Sequence, residues 1–371
     1  LGEKAAADGC FPHRTEDYIV LKRLATEYDL GMAYYYLGCL LYDKRVYGEA
    51  VADYEKAALK YPDFPTVHRN LALAYYNVKK QPQRAYEEME KAFALDETDA
   101  RVYLELDQLK KRLNVAVKER WSDMEKHFDL VESRDDLYLE YVTLLNTLGE
   151  PEKALGLIKA RKFHQWEGGE GKVAAQYLTA LYQLAKAAVE KEDYAEAKEL
   201  LLRAVGEYPH NLGEGKLESG QENNLYYLLG LVQEKLGEAK DAFESLTRAC
   251  CGESEPVGMM YYNDQPPEMI YYQGLAYRML GEEEQAVRRF QKLVDYGREH
   301  IRDDVKIDYF AVSLPDLLIF EENLNERNRK HCLFMVSLGL KGLGRIDEAE
   351  KCAEELLAMD NAHQEIRVHD L

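Results

Sequence analysis

Two glycine-rich segments hold the side chains best placed for chemistry. The first, Glu167-Gly168-Gly169-Glu170-Gly171-Lys172, follows His164 and Trp166, and the second runs Asn211-Leu212-Gly213-Glu214-Gly215-Lys216. A phosphate loop needs a further glycine ahead of its Gly-Lys and a Ser or Thr after it. Those positions hold Trp166 and His210, and Val173 and Leu217 follow the lysines, so a nucleotide reading fails. What remains is a clasp for a polar ligand, with glycine allowing close backbone approach and Trp166 offering a flat apolar face. The plain alternative is a pair of turns that join stacked helices.

Two further segments are unusually aromatic. One carries Tyr261, Tyr262, Asn263 and Asp264; the other carries Asp308 and Tyr309 and leads into Phe320, Asn323 and Asn325. The carboxylates of Glu167, Glu170, Glu214, Asp264 and Asp308 have no spacing that fixes an acid and a base. The histidines lack the HExxH pattern, and Cys10, Cys39, Cys250, Cys251, Cys332 and Cys352 form no CxxC pair. No catalytic set, metal or cofactor is therefore expected, and the cysteines read as reduced thiols of a cytoplasmic protein.

The elements that must position these loops are helices. Tyr34, Leu37, Gly38, Leu41, Ala50, Tyr54, Ala57 and Pro62 set a spacing that returns with Ala185, Ala197, Leu201, Ala204 and Pro209, with Gly230 and Ala242, and with Gly274, Ala286 and Phe290. The small residues let two antiparallel helices approach while the large ones fill the space between them. The spacing and its period of about 34 residues resemble the tetratricopeptide repeat, which implies an all-α, right-handed superhelical solenoid of about eight helix pairs with long inter-repeat insertions.

The expected layout is one continuous solenoid: an N-terminal helix or cap over 1–30, repeats 1–4 over 31–160, and repeats 5–8 with insertions over 161–371. The pair at 99–132 has lost its small-residue signature. Later repeats fall at about 174–209, 223–250, 267–294 and 330–361, separated by insertions at 161–173, 210–222, 251–266 and 295–329. An opening at Leu1 without an initiator Met suggests a fragment or processed product.

In such pairs the residue after the fourth-position aromatic faces the groove. Tyr35, Tyr182, Tyr227, Tyr271 and Phe334 take that place and Arg69 breaks the series; two turns on come Tyr42, Tyr76, Asn146, Glu234, Arg278 and Lys341. This trough suits an extended peptide or a docking domain. The alternative is ordinary packing between neighbours, which would account for part of the 28 tyrosines. A carboxylate clamp for peptide C-termini is not expected, because only Arg69 and Asn70 suggest one.

The formal charge of −20 and pI near 5.0 argue against nucleic acid and anionic membranes as partners. No signal segment and no run of about 18 apolar residues is present.

Phe64-Pro65-Thr66-Val67, Arg69 through Tyr76, and Trp166 through Lys172 resemble a bacterial group in which a galactose-mutarotase-like β-sandwich of unassigned function precedes a tetratricopeptide array. The resemblance implies that a companion β-sandwich, or a carbohydrate handled with it, is a partner. The expected function is a non-enzymatic scaffold that binds a peptide segment or companion domain through its concave face and late insertions. The competing expectation is a carbohydrate-binding or carbohydrate-processing module built on the insertion aromatics and carboxylates.

Overall fold

A computed structural model describes residues 12–166, 168–216, 220–258, 264–306 and 319–369. Among them are nineteen α-helices and no strand. No helix of the described residues is long and apolar enough to cross a membrane.

The chain divides into two compact units. The first contains α1 (Thr15–Thr26), α2 (Gly31–Asp43), α3 (Tyr47–Lys60), α4 (Pro65–Asn77), α5 (Pro82–Leu95) and α6 (Ala100–Arg112), together with residues 319–321. Helix α1 packs on α2, with Ala25 buried, while Ile19 and Val20 on its other side are exposed.

The second unit begins at Asn114 with α7 (Val117–Lys126) and α8 (Phe128–Ser133), which pack on α9 (Asp135–Thr147). It continues through α10 (Pro151–Ala160), α11 (Lys172–Glu190), α12 (Tyr194–Ala204), a 3-10 turn (His210–Leu212), α13 (Asn223–Lys235) and α14 (Ala239–Ala249). It ends with α15 (Pro267–Met279), α16 (Glu283–His300), α17 (Leu324–Gly342), α18 (Ile346–Met359) and the short α19 (Gln364–Val368).

The pairs α2/α3, α4/α5, α11/α12, α13/α14, α15/α16 and α17/α18 pack tightly, as the spacing predicts. A Cβ at Gly38 would stand 2.7 Å from the Tyr54 ring, one at Gly230 2.6 Å from Leu246, and one at Gly274 2.5 Å from Phe290. The glycine in the first helix thus receives the large side chain of the second. Pro65, Pro82, Pro151 and Pro267 begin helices, where a missing N–H costs nothing.

Each turn inside a pair places one left-handed residue just before the cap of the second helix. Gly149, Gly237, Gly281 and Gly344 fill it four times, but Arg45, Lys80 and Glu192 adopt φ of 60°, 53° and 60° there. A side chain in that conformation costs about 1 kcal/mol, so Glu192→Gly is expected to raise stability by about 0.5–1 kcal/mol, read as a shift in the urea midpoint.

The segment 99–132 does not make a regular pair. Its first helix, α6, closes the first unit against α5, and its second is broken at His127, whose φ of −115° and ψ of 34° leave the helical region. No glycine or alanine lies where these helices would need one to approach. The last insertion is shorter than expected, because α16 runs on to His300 and α17 starts at Leu324. Gly297 explains the extension: a Cβ there would stand 2.7 Å from the Cys332 carbonyl oxygen, so the extra turns pack backbone to backbone.

Candidate functional site

In the first unit, the expected groove residues lie on α2 and α4. Tyr35 is buried, edge-on to Tyr36 and to Phe64 at 5.2 and 5.0 Å between centroids, and burial drives its hydroxyl pKa well up. Arg69 is not free to meet a ligand. Its guanidinium donates to both oxygens of Glu105 on α6, at 2.6 and 2.7 Å, and Glu105 has no exposure at all. Arg101 supplies a second cation to that carboxylate at 3.1 Å.

Two turns further along α4, the side chains do hold a segment of the chain itself. Asn77 donates through Nδ2 to the Ile319 carbonyl at 2.8 Å and accepts at Oδ1 from the Glu321 amide at 2.9 Å. Arg112, at the end of α6, donates to the Phe320 carbonyl at 2.9 Å. The Phe320 ring is 1% exposed and meets Tyr76 edge-on at 5.1 Å, and Lys80 pairs with Glu321 at 2.5 Å. Tyr42 completes the arrangement through a hydrogen bond between its hydroxyl and the Asn77 side chain. Tyr42 and Tyr76, two of the expected partner-binding residues, lie at this segment of the chain itself; Asn77, Lys80 and Arg112 carry no repeat signal, although Asn77 directly follows Tyr76.

In the second unit the equivalent face is covered by α19. Tyr182, Tyr271 and Phe334 are buried, and Tyr227 is half-buried against Tyr272 at 5.5 Å. Hydroxyls of Tyr182 and Tyr272 lie 2.6 Å apart, and Tyr272 reaches Nδ1 of His369 at 2.9 Å. Burial, reinforced by Lys186 and Lys341, pushes His369 down to about 3, so its ring is neutral. The same lysines donate to the carbonyls of Val368 and His369 at 2.8 and 3.1 Å. The Gln364 amide nitrogen donates to the Thr143 carbonyl, to Thr147 and to Gln176, each at 3.2 Å. Asn146 holds Gln176 from α9. The first residue of the unit, Asn114, accepts at its side-chain and main-chain oxygens from the amide and the side chain of Asn361, just ahead of α19. Arg278 turns outward and pairs with Glu283 at 2.8 Å.

Burial and the nearby carboxylate of Glu365 push Glu268 on α15 up to about 8 from 4.5. The folded unit therefore holds a proton that the unfolded chain releases, and stability is expected to fall as pH rises from about 4.5 towards 8. Urea midpoints across that window should decline in the wild type and decline less in Glu268→Gln.

The two glycine-rich loops brace each other. Glu214 accepts from the amides of Gly171 and Ala174, both at 2.8 Å, and so caps α11 from the other loop. Asn211 donates to the carbonyls of Ile158 and Arg161 and accepts from the Phe163 amide. His164 is held by Asp135 through its amide and its ring, and Trp166 stacks where a Cβ on Gly169 would fall 2.2 Å from its indole. Glu170 and Lys172 are exposed. Lys216 donates to the Val205 carbonyl and pairs with the buried Glu222, on a cleft of about 820 Å³ that Tyr226 and Arg248 also line. Asp264 lies half-buried before α15. Glu167, Tyr261, Tyr262, Asn263, Asp308 and Tyr309 fall outside the described residues. Removing the Glu214 carboxylate with Glu214→Ala should cost about 1 kcal/mol, the value of an N-terminal helix cap, in a thermal melt.

Models of the tetratricopeptide-repeat family match residues 35–100, 182–256 and 268–296. These segments carry tetratricopeptide repeats. Solved structures resemble the chain at low identity. PilW, a type IV pilus biogenesis factor, is 12% identical over 62% of this chain and 92% of its own, with a TM-score of 0.35. A tetratricopeptide repeat protein from Parabacteroides merdae is 12% identical over 86% and 99%, with a TM-score of 0.38. YrrB, described as a tetratricopeptide protein with an unusual peptide-binding site, is 18% identical over 66% and 97%, with a TM-score of 0.23.

Proposed function

We propose that this protein is a non-enzymatic interaction scaffold that holds a peptide segment of a partner protein on the face of α2, α4 and α6. The supporting observation is the grip of Asn77 on the main chain at both sides of Phe320. A side-chain amide that donates to one carbonyl and accepts from the next amide but one recognises main chain, whatever the side chains. Arg112 adds a third main-chain bond, and the slot beside Tyr76 takes one ring as an anchor. Since the chain's own Ile319–Phe320–Glu321 occupies this face, a partner segment binds by replacing it.

A displayed library of random peptides of about eight residues, long enough at ~3.3 Å per residue to cross three helices, tests this reading. Selection on the Phe320→Ala chain should return binders whose affinity drops about tenfold or more on adding Asn77→Ala, the worth of two hydrogen bonds. A library that yields no binder dependent on Asn77 contradicts it.

A further inference from the structure

We infer that Ile319–Phe320–Glu321 is a built-in competitor at a selective site, and that the partner segments admitted there carry an aromatic residue followed by a carboxylate. This rests on the scaffold reading above and adds the chemistry of selection.

Three features of the seated segment are read by three different groups. The backbone is read by Asn77 and Arg112, which gives affinity without choice. The aromatic ring is read by Tyr76, with the Arg112 guanidinium 6.0 Å from the centre of the tyrosine ring, so the slot has an aromatic wall and a cationic rim. A ring of Phe or Tyr fills such a slot with its edge against a π face, whereas a small side chain leaves it open. The following carboxylate is read by Lys80, which itself sits in the left-handed turn position after α4.

Charge supports the same choice. The chain carries −20 overall, yet Lys79, Lys80, Lys110, Lys111 and Arg112 gather at the C-terminal ends of α4 and α6. Cations at helix C-termini ordinarily complement the helix dipole. Lys80 and Arg112 in addition reach the seated segment, the first at a carboxylate and the second at a carbonyl. An acidic segment is drawn to these ends and a basic one is repelled.

The seated segment is a modest ligand, with one buried ring, three main-chain bonds and an ion pair in which both side chains are exposed by more than 60%. Its advantage is that it is tethered, so it competes at an effective concentration near millimolar. A partner with the same chemistry and a longer contact displaces it.

Fluorescence anisotropy with a labelled peptide of the sequence 317–324 tests the inference on the full chain. The peptide is expected to bind the Phe320→Ala chain about tenfold or more tightly than the wild type, because the tethered competitor has lost its anchor. Peptides with Phe320→Ala should lose binding, and peptides with Glu321→Lys should weaken about fivefold and recover on a chain that also carries Lys80→Glu. If Phe320→Ala unfolds the chain, Glu321→Lys on the exposed end of the segment loosens the competitor instead. Equal binding to wild type and variant, or indifference to the two peptide changes, overturns the inference. Should library peptides of other chemistry bind through Asn77 while this peptide does not, the selection rule fails and the scaffold reading stands; if no peptide binds, both fail.

Discussion

Valine in place of Gly339 is expected to destabilise the second unit by about 3 kcal/mol or more. A Cβ at this position would stand 2.5 Å from the Phe290 carbonyl oxygen, 2.7 Å from Val294 Cγ2 and 3.1 Å from the Val294 amide nitrogen. Two of these three neighbours are backbone atoms of α16, so no rotamer change makes room. On the same interface Gly297 approaches the Cys332 carbonyl, and Gly342 leaves the space that the Phe290 ring fills. Helices α16 and α17 are thus held by glycines on both sides, and one branched side chain must push them apart. Loss of the cooperative urea transition, or a fall of its midpoint, is the expected readout. Gly156→Ala is the matched control: nothing lies within 4 Å of a Cβ there, and the exchange should raise stability by about 0.5–1 kcal/mol. Equal effects at 339 and 156 would show that the close approach of α16 and α17 is not what the glycines serve.

Arg69→Ala should have a comparable effect in the first unit, about 3–5 kcal/mol, because it leaves the fully buried Glu105 carboxylate with only the largely exposed Arg101. Removing one partner of a buried pair is far costlier than removing both. The double variant Arg69→Met with Glu105→Leu is therefore expected to lie within about 1 kcal/mol of wild type. The comparison of thermal melts separates a structural ion pair from a ligand-binding arginine. A harmless Arg69→Ala would return the guanidinium to the list of groups that meet a partner.

These cases mark what the sequence could and could not convey. Gly38, Tyr54 and Ala50 announce a helix pair because each neighbour in the pair is a few turns away and its size is dictated by contact. Tyr42 and Tyr76 could be placed on a common face by register alone. The partner of Arg69 was also within reach, since Glu105 lies 36 residues on, one residue past the corresponding place in the next first helix. The loops were harder. Glu214 and Gly171 share a pattern that suggested equivalent ligand clasps, whereas their geometry is that of a carboxylate capping a helix across 43 residues. The contact of Asn77 with Ile319 spans 242 residues, and that of Gln364 with Thr143 spans 221. No periodicity encodes such pairings, because each is a polar contact made by a short non-repeating segment. Phe320 stood out as an aromatic residue in a long insertion, but the insertion alone could not tell which face would receive it.

The most direct test of the account is calorimetric titration of the peptide 317–324 into two chains, Phe320→Ala and the double variant Phe320→Ala with Asn77→Ala. Binding to the first and a loss of about tenfold or more in the second is the predicted result, since Asn77 supplies two of the three main-chain bonds. Equal affinity for the two chains would contradict the claim that the face of α2, α4 and α6 holds a protein segment by its backbone.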